Sequence, residues 1–513
     1  MAPSALGSLA VGAVLLLGLG GDAWGSSLRL CGTTARRHRT VRVPSWRPSS
    51  AFGVGSSRGF PFRVLGPAGT DALAASIRDA VDEAWQAEII NGGWAAPPPD
   101  NGGPDSSYDI YIDPLNAQGE AYTQPEDDAG AVGRYALTSY IGLPDSYADA
   151  AELFSIAAHE LNHASQFAID AAEDDAFFES SSVFAEWYFA HDVPTYATGV
   201  DDYQAHPQRA LNYLGSDLYE YGAGIWLIFL SERHDAKGQQ LVQRLWEGSK
   251  QASSSLNEPD FLDVLGTETG ERGLDMGQFF ATFATWRYFT GSRDDGQHFS
   301  DGAAWGNGSR VAAGQLTAAP EVSFQETVAA FGAGWRVVSV PAGTEALDVA
   351  VTGAGGVAAV VPLDPGGAAV AEPTVISTSA PGRAVLAQGA QSALVAVTYA
   401  PAGWDPDSKD WTAHTVQVSL AAVGQGADAG LVDAGIADAG AASADAGPTD
   451  AGAGSPQPPD AGADADTPGG AGLGCHCAEA GGGSWAVLAL GLVALVRPRR
   501  PTSRHRGQLD ESA

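Results

Sequence analysis

Residues 149–170 read Asp-Ala-Ala-Glu-Leu-Phe-Ser-Ile-Ala-Ala-His-Glu-Leu-Asn-His-Ala-Ser-Gln-Phe-Ala-Ile-Asp, and this stretch decides the fold. Its pattern is helical. Leu153, Ile156, Ala157 and Leu161 make an apolar stripe, so the helix is expected to be buried along that flank. His159 and His163 stand at i and i+4, one turn apart, so both imidazoles project from one face and can share a metal ion at about 2.0–2.1 Å. Glu160 is rotated away from both, close enough to reach a metal-bound water without crowding the ion, which makes it the candidate general base. A buried helix carrying two histidines and a glutamate needs something to satisfy them. The competing reading is a pair of satisfied core histidines.

A catalytic zinc takes three protein ligands and keeps a fourth position for water. Glu179 and Glu186 lie on the next predicted helix, Phe177 to Ala190, seven residues apart and so on one face. The bland alternative for each is a solvated helix face. The stretch Phe177-Phe178-Glu179-Ser180-Ser181-Ser182-Val183-Phe184-Ala185-Glu186 resembles the W-x-x-E-G-x-x-x-Y/F-x-E segment of gluzincin metallopeptidases, especially aminopeptidases of the leukotriene-hydrolase type. The resemblance implies that Glu179 is the third zinc ligand and that Glu186 is a partner bonded to a ligand. Ala176 stands where the family has tryptophan, and Ser180 replaces its glycine. Leu218-Tyr219-Glu220-Tyr221-Gly222 resembles the Y-E-K-G segment of the same families, which implies that Tyr219 donates to the oxyanion, with Tyr221 at the lysine position. Residues from about 30 to 290 also resemble a family of myxobacterial secreted metalloproteases with an HEYxHxxQ motif, to which Gln166 supplies the last position. Together these likenesses imply a zinc peptidase with one catalytic Zn2+ and a protein or peptide substrate. No counterpart of the segment that binds a free N-terminus is recognisable, which favours an endopeptidase. A zinc hydrolase of other substrates and a surface adhesion protein with a degenerate peptidase domain are the remaining readings.

The 513 residues suit two domains plus extensions. Lys and Arg number 27 against 61 Asp and Glu, a net charge of −34 that disfavours nucleic acid. The imbalance is uneven. Ser26 to Thr70 holds Arg29, Arg36, Arg37, Arg39, Arg42, Arg47, Arg58 and Arg63 and no acid. That basic segment facing an acidic body suggests intramolecular docking, as in a removable pro-segment. Three cysteines exclude a disulfide scaffold.

The ends read as addresses. Ala5 to Gly21 is apolar and is followed by Ala23-Trp24-Gly25, the signature of a secretory signal over residues 1–25. Residues 425–474 repeat Asp-Ala-Gly, beginning at Asp428, Asp433, Asp438, Asp445, Asp450 and Asp460, and read as an extended, disordered stalk. Residues 475–513 carry Cys475-His476-Cys477, the short apolar run Trp485 to Val496 and an arginine cluster. They resemble the MYXO-CTERM sorting signals of myxobacterial surface proteins, which implies processing by a membrane machinery and retention at the cell surface.

Between the ends the expected class is α+β. A zincin-like catalytic domain at 70–300, preceded by the basic segment 26–69, combines a mixed sheet, the active-site helix and a helical part. Tyr108 to Ile112 alternates like a strand, and Leu73, Ile77, Val81 and Trp85 recur like a helix behind Thr70. Residues 320–424 show short β-branched runs between Gly/Pro turns and predict an accessory β-sandwich. Glu126-Asp127-Asp128 and Glu173-Asp174-Asp175 match no defined calcium loop, so structural Ca2+ is unsupported and both read as solvated surface. His191 and His206 read as a helix-end charge and a loop residue.

Overall fold

The structure is a computed structural model that describes residues 58–99, 106–113, 121–128, 136–147, 149–250, 259–316, 321–388 and 390–424. The expected signal, most of the basic segment, the stalk and the sorting tail lie outside these residues. The described chain is α+β, as expected, and falls in one unit, Met1–Asp433. No described helix is long and apolar enough to cross a membrane.

The first layer is a mixed sheet of order β1-β2-β4-β3, with β1 (Phe62–Leu65), β2 (Tyr108–Ile112), β3 (Tyr122–Asp128) and β4 (Leu137–Leu143). β1, β2 and β4 run parallel, and β3 closes the edge antiparallel to β4. Helix α1 (Asp71–Trp85) crosses over between β1 and β2, and α2 (Ala150–Ile169) carries His159, Glu160 and His163. Both lie on one face of the sheet. Ile77, Val81 and Trp85 pack with Leu153, Ala157 and Leu161 over Phe62, Ile110 and Ile141. Asp149 starts α2 by accepting the amides of Ala151 and Glu152, worth about 1 kcal/mol to such a helix. Thr70 precedes α1 but does not cap it through its side chain, whose hydroxyl donates to the Pro67 carbonyl instead.

A helical layer follows: α3 (Asp175–Ala185), α4 (Val193–Tyr196), α5 (Val200–Ala205), α6 (Tyr219–Gly222), α7 (Ile225–His234), α8 (Gln240–Gly248), α9 (Phe261–Glu271) and α10 (Met276–Tyr288). Two of these spans are shorter than the periodicity suggests. α1 gives way to a π-helical turn at Gln86–Asn91, and α3 to another at Glu186–Ala190. Stacked aromatics hold the layer together, with Phe177 between Trp246 and Phe261 at 4.8 and 4.3 Å.

The predicted sandwich is present and begins earlier than residue 320. β5 (Val311–Gln315) runs parallel to β7 (Ala333–Ser339) at the edge of a five-stranded sheet of order β10-β9-β12-β7-β5. This sheet includes β9 (Gly356–Leu363), β10 (Thr374–Ser377) and β12 (Ser392–Tyr399). The second sheet has the order β11-β8-β13-β6 and comprises β6 (Glu321–Val328), β8 (Thr344–Thr352), β11 (Gly382–Val385) and β13 (His414–Gly424). Val360, Val395 and Val397 meet Leu347, Val349, Val416 and Val418 between the sheets.

The sandwich is not a detached module. The outer face of its five-stranded sheet is covered by α10, where Ala281, Ala284 and Tyr288 pack on Trp335, Ala359 and Leu394. β9 is therefore buried at every position, which is why its run Val357 to Val361 shows no polar alternation. The opposite side of α10 carries Phe280, Phe283 and Trp286 into the helical core.

Candidate metal centre

α2 and α3 bring three of the expected residues to one point. His159 Nε2 and His163 Nε2 are 3.0 Å apart, and Glu179 Oε2 lies 3.4 and 3.3 Å from them. Bonds of about 2.0–2.1 Å to a tetrahedral ion put its ligand atoms about 3.3 Å from one another. The three gaps match that edge, and this is the group of histidine and carboxylate atoms found close enough to hold an ion among the described residues. His163 and Glu179 are fully buried, and His159 keeps 5% of its surface.

The other ring nitrogens are occupied in a way that fixes both tautomers. Glu186 Oε1 is 2.6 Å from His159 Nδ1, while its Oε2 accepts from Ser155 Oγ at 2.9 Å. A carboxylate there requires Nδ1–H to donate, which leaves the Nε2 lone pair for the ion. Gln166 does the same for His163. Its Nε2 donates to the Phe178 carbonyl at 3.1 Å, so its Oε1, 2.7 Å from His163 Nδ1, is the accepting end. Glu186 thus pairs with His159 from the start of the π-helical turn.

Glu160 is buried and reaches the edge strand β3. Thr123 of β3 donates to both its carboxylate and its backbone carbonyl, at 2.8 and 2.9 Å. Burial pushes the Glu160 carboxyl above its ordinary value, and the nearby imidazoles and Thr123 only partly offset it. Burial also acts to raise Glu179, but the two imidazoles outweigh it and hold that carboxyl well below the usual range. A buried carboxylate beside two imidazoles whose Nδ1 atoms are already paired is a donor set suited to a divalent cation.

Tyr219 is not brought to this set. Its ring is fully buried against Tyr203 and Tyr213, and its hydroxyl donates to the Arg209 carbonyl at 3.1 Å. The neighbouring Tyr221 is half-buried and lies parallel to the His159 ring at 6.1 Å. Of the two tyrosines, Tyr221 is the one whose ring lies against the set. α6 and α7 approach α3 closely because Gly224 allows it. A Cβ there would stand 2.9 Å from Val183 Cγ1 and 3.0 Å from the Ser180 carbonyl.

The expectation for Glu173-Asp174-Asp175 is corrected. All three are buried. Asp174 caps α3 through the amides of Ala176 and Phe177 and accepts from Asn212 at 3.1 Å. The cover comes from chain returning much later, since Asn212 also reaches the Pro406 carbonyl and Trp411. His191 and His206 stand outside the metal set, His191 in the left-handed region after the π-helical turn. Sequence reasoning missed Thr123 and Glu88. Glu88, fully buried in the first π-helical turn, lies 3.5 Å from Asn162 Nδ2, and Asn162 in turn accepts from Gln166 at 2.8 Å.

No family model matches the chain, and no curated protein matches it. Three solved structures share slight overlaps. The Aeromonas hydrophila PliG, a periplasmic inhibitor of g-type lysozyme, is 10% identical over 22% of this chain and 98% of its own, with a TM-score of 0.18. Its Salmonella Typhimurium counterpart is 8% identical over the same shares, with a TM-score of 0.17. A disulfide-linked pilus of Bacillus endospore appendages is 18% identical over 20% of this chain and 85% of its own, with a TM-score of 0.13. Overlaps this slight carry no argument about activity.

Proposed function

We propose that the chain is a zinc-dependent hydrolase of peptide bonds, of gluzincin type and more suited to internal bonds than to chain ends. The observation that carries this reading is the convergence of His159, His163 and Glu179 at 3.0–3.4 Å, with both histidines oriented by Glu186 and Gln166. Bound zinc supplies Lewis-acid polarisation of water and of the scissile carbonyl. The chain supplies the rest. Glu160 accepts the proton that water releases as its oxygen bonds the carbonyl carbon, then delivers it to the amine nitrogen as the C–N bond breaks. Tyr221, beside His159, donates its phenolic proton in a hydrogen bond to the carbonyl oxygen as negative charge develops there.

Substrate form follows from the sheet edge. β3 is the outermost strand of its sheet among the described residues, and its Thr123 touches Glu160. An extended peptide adding beside β3 would pass the base with its main chain aligned. The sequence signals at both ends support export and display at the cell surface.

Elemental analysis of the purified protein tests the reading, alongside a Glu160→Gln variant assayed on casein. About one zinc per chain is expected. The variant should keep that zinc and lose a factor of about 10²–10⁴ in rate. No zinc, together with equal rates in the two proteins, would leave a display protein that has the shape of a site without its activity.

A further inference from the structure

A second feature, independent of the hydrolase reading, lies between α1 and the start of α2. A groove of about 570 Å³ opens there. Its apolar side is formed by Leu73, Tyr147 and Phe154, and its rim carries Asp79, Glu83 and Asp145. Glu83 and Asp145 are exposed, and Asp79 is exposed beside its own neighbour Arg78, 3.0 Å away. No Lys, Arg or His lines the groove among the described residues, and none of the metal set does either.

The described chain enters the fold beside this groove. Arg58, its first residue, donates through Nη1 to the Asp82 carbonyl of α1 at 3.0 Å. Glu83 is the next residue, and Asp79 lies one turn back. Immediately upstream, residues 26–57 carry Arg29, Arg36, Arg37, Arg39, Arg42 and Arg47 and no acid. Within that stretch Val41-Arg42-Val43-Pro44-Ser45-Trp46-Arg47-Pro48 sets a tryptophan beside one arginine and four residues from another. The eleven steps from Arg47 to Arg58 span up to about 36 Å, far more than the distance along α1 from Arg58's anchor to Asp79.

We propose that residues 42–47 dock into this groove within the same chain. Arg42 and Arg47 meet the rim carboxylates, and Trp46 covers Leu73 and Phe154. A tethered segment needs only weak intrinsic affinity, because the short link holds it near its site at an effective concentration of about millimolar. Two or three exposed ion pairs with one buried aromatic are sufficient for that, and their charge part is screened by salt.

The test places a photoreactive benzophenone side chain at position 46 of the full-length protein and maps the crosslinks. The expected products join residue 46 to peptides within 73–83 or 145–154 of the same chain, at a yield independent of protein concentration. That yield should fall about fivefold at about 1 M salt. It should fall similarly in Glu83→Lys combined with Asp145→Lys, with zinc content unchanged. If that pair disturbs folding, Arg42→Gln with Arg47→Gln makes the same test from the segment's side. Crosslinks elsewhere on the chain, crosslinks only between two copies, capture of another protein, or none would each overturn the proposal.

Discussion

α3 is buried throughout and β12 at all but its two end residues, yet α3 is filled with polar groups while β12 is almost wholly aliphatic. α3 places Glu179, Ser180, Ser181 and Ser182 in the interior. β12 places Leu394, Val395, Ala396 and Val397 there. The sandwich core is held by volume and contact, so any close-packed aliphatic set serves it. The α2–α3 interior is held by pairing. Many polar atoms there meet a partner, as Ser181 meets the Phe177 carbonyl at 2.6 Å and the Trp246 indole at 3.1 Å. Polar groups are packed most densely inside this protein around His159, His163 and Glu179.

The two interiors should therefore fail differently. The sharpest break is Glu160→Gln, which removes the base without removing a ligand and costs about 10²–10⁴ in rate at unchanged zinc. Leu394→Ala attacks the other interior. It empties volume between β12 and α10 and should cost about 2–5 kcal/mol in denaturant unfolding, while zinc content holds. Because α10 belongs to both cores, that loss should appear in a single transition; two separated transitions would show that the regions unfold independently. Glu186→Gln keeps the shape beside His159 but removes the carboxylate charge. Zinc affinity, measured by competition with a chelator, should fall about tenfold.

Asp260 sharpens the comparison through pH. It caps α9 through the amides of Leu262 and Asp263, yet burial pushes its carboxyl up to about 7 from 3.8. A folded value above the unfolded one means that the folded state binds the proton more tightly. Stability is then lost as pH rises from about 4 to about 7. Asp260→Asn retains a capping oxygen and does not ionise. It should raise the unfolding free energy at pH 8 by roughly 1–3 kcal/mol and leave little difference at pH 4. A variant equally destabilised at both pH values would show that the cap, not the charge, is what matters there.

Much of this was legible in the chain. The spacing of His159 and His163 places them on one helix face, with Glu160 turned to its side, and the seven-residue step from Glu179 to Glu186 shares a face likewise, because helical geometry is local. Glu179, which the resemblance singled out, lies beside His159 and His163 in the fold. The choice between Tyr219 and Tyr221 was not legible. They sit two residues apart, and only the fold shows that Arg209 takes one hydroxyl while His159 faces the other ring. Thr123 and Glu88 were hidden for a related reason. Their partners lie 37 and 74 residues away, and no periodicity links them. The burial of Glu173-Asp174-Asp175 depends on Asn212 and a loop near residue 406, so composition alone made those acids look like surface.

The covering of the five-stranded sheet by α10 also bears on the order in which the chain folds. β12 is the middle strand of that sheet, and it joins β9 to β7. Until residues 392–399 have emerged, those two strands have no bridge, and α10 has only part of its floor. The helical layer leans on α10, so it cannot settle until nearly the whole described chain is present. Such long-range pairing is slow to form. Consolidation of the half that holds His159, His163 and Glu179 is accordingly a late event, timed by strands that contribute no atom to that cluster.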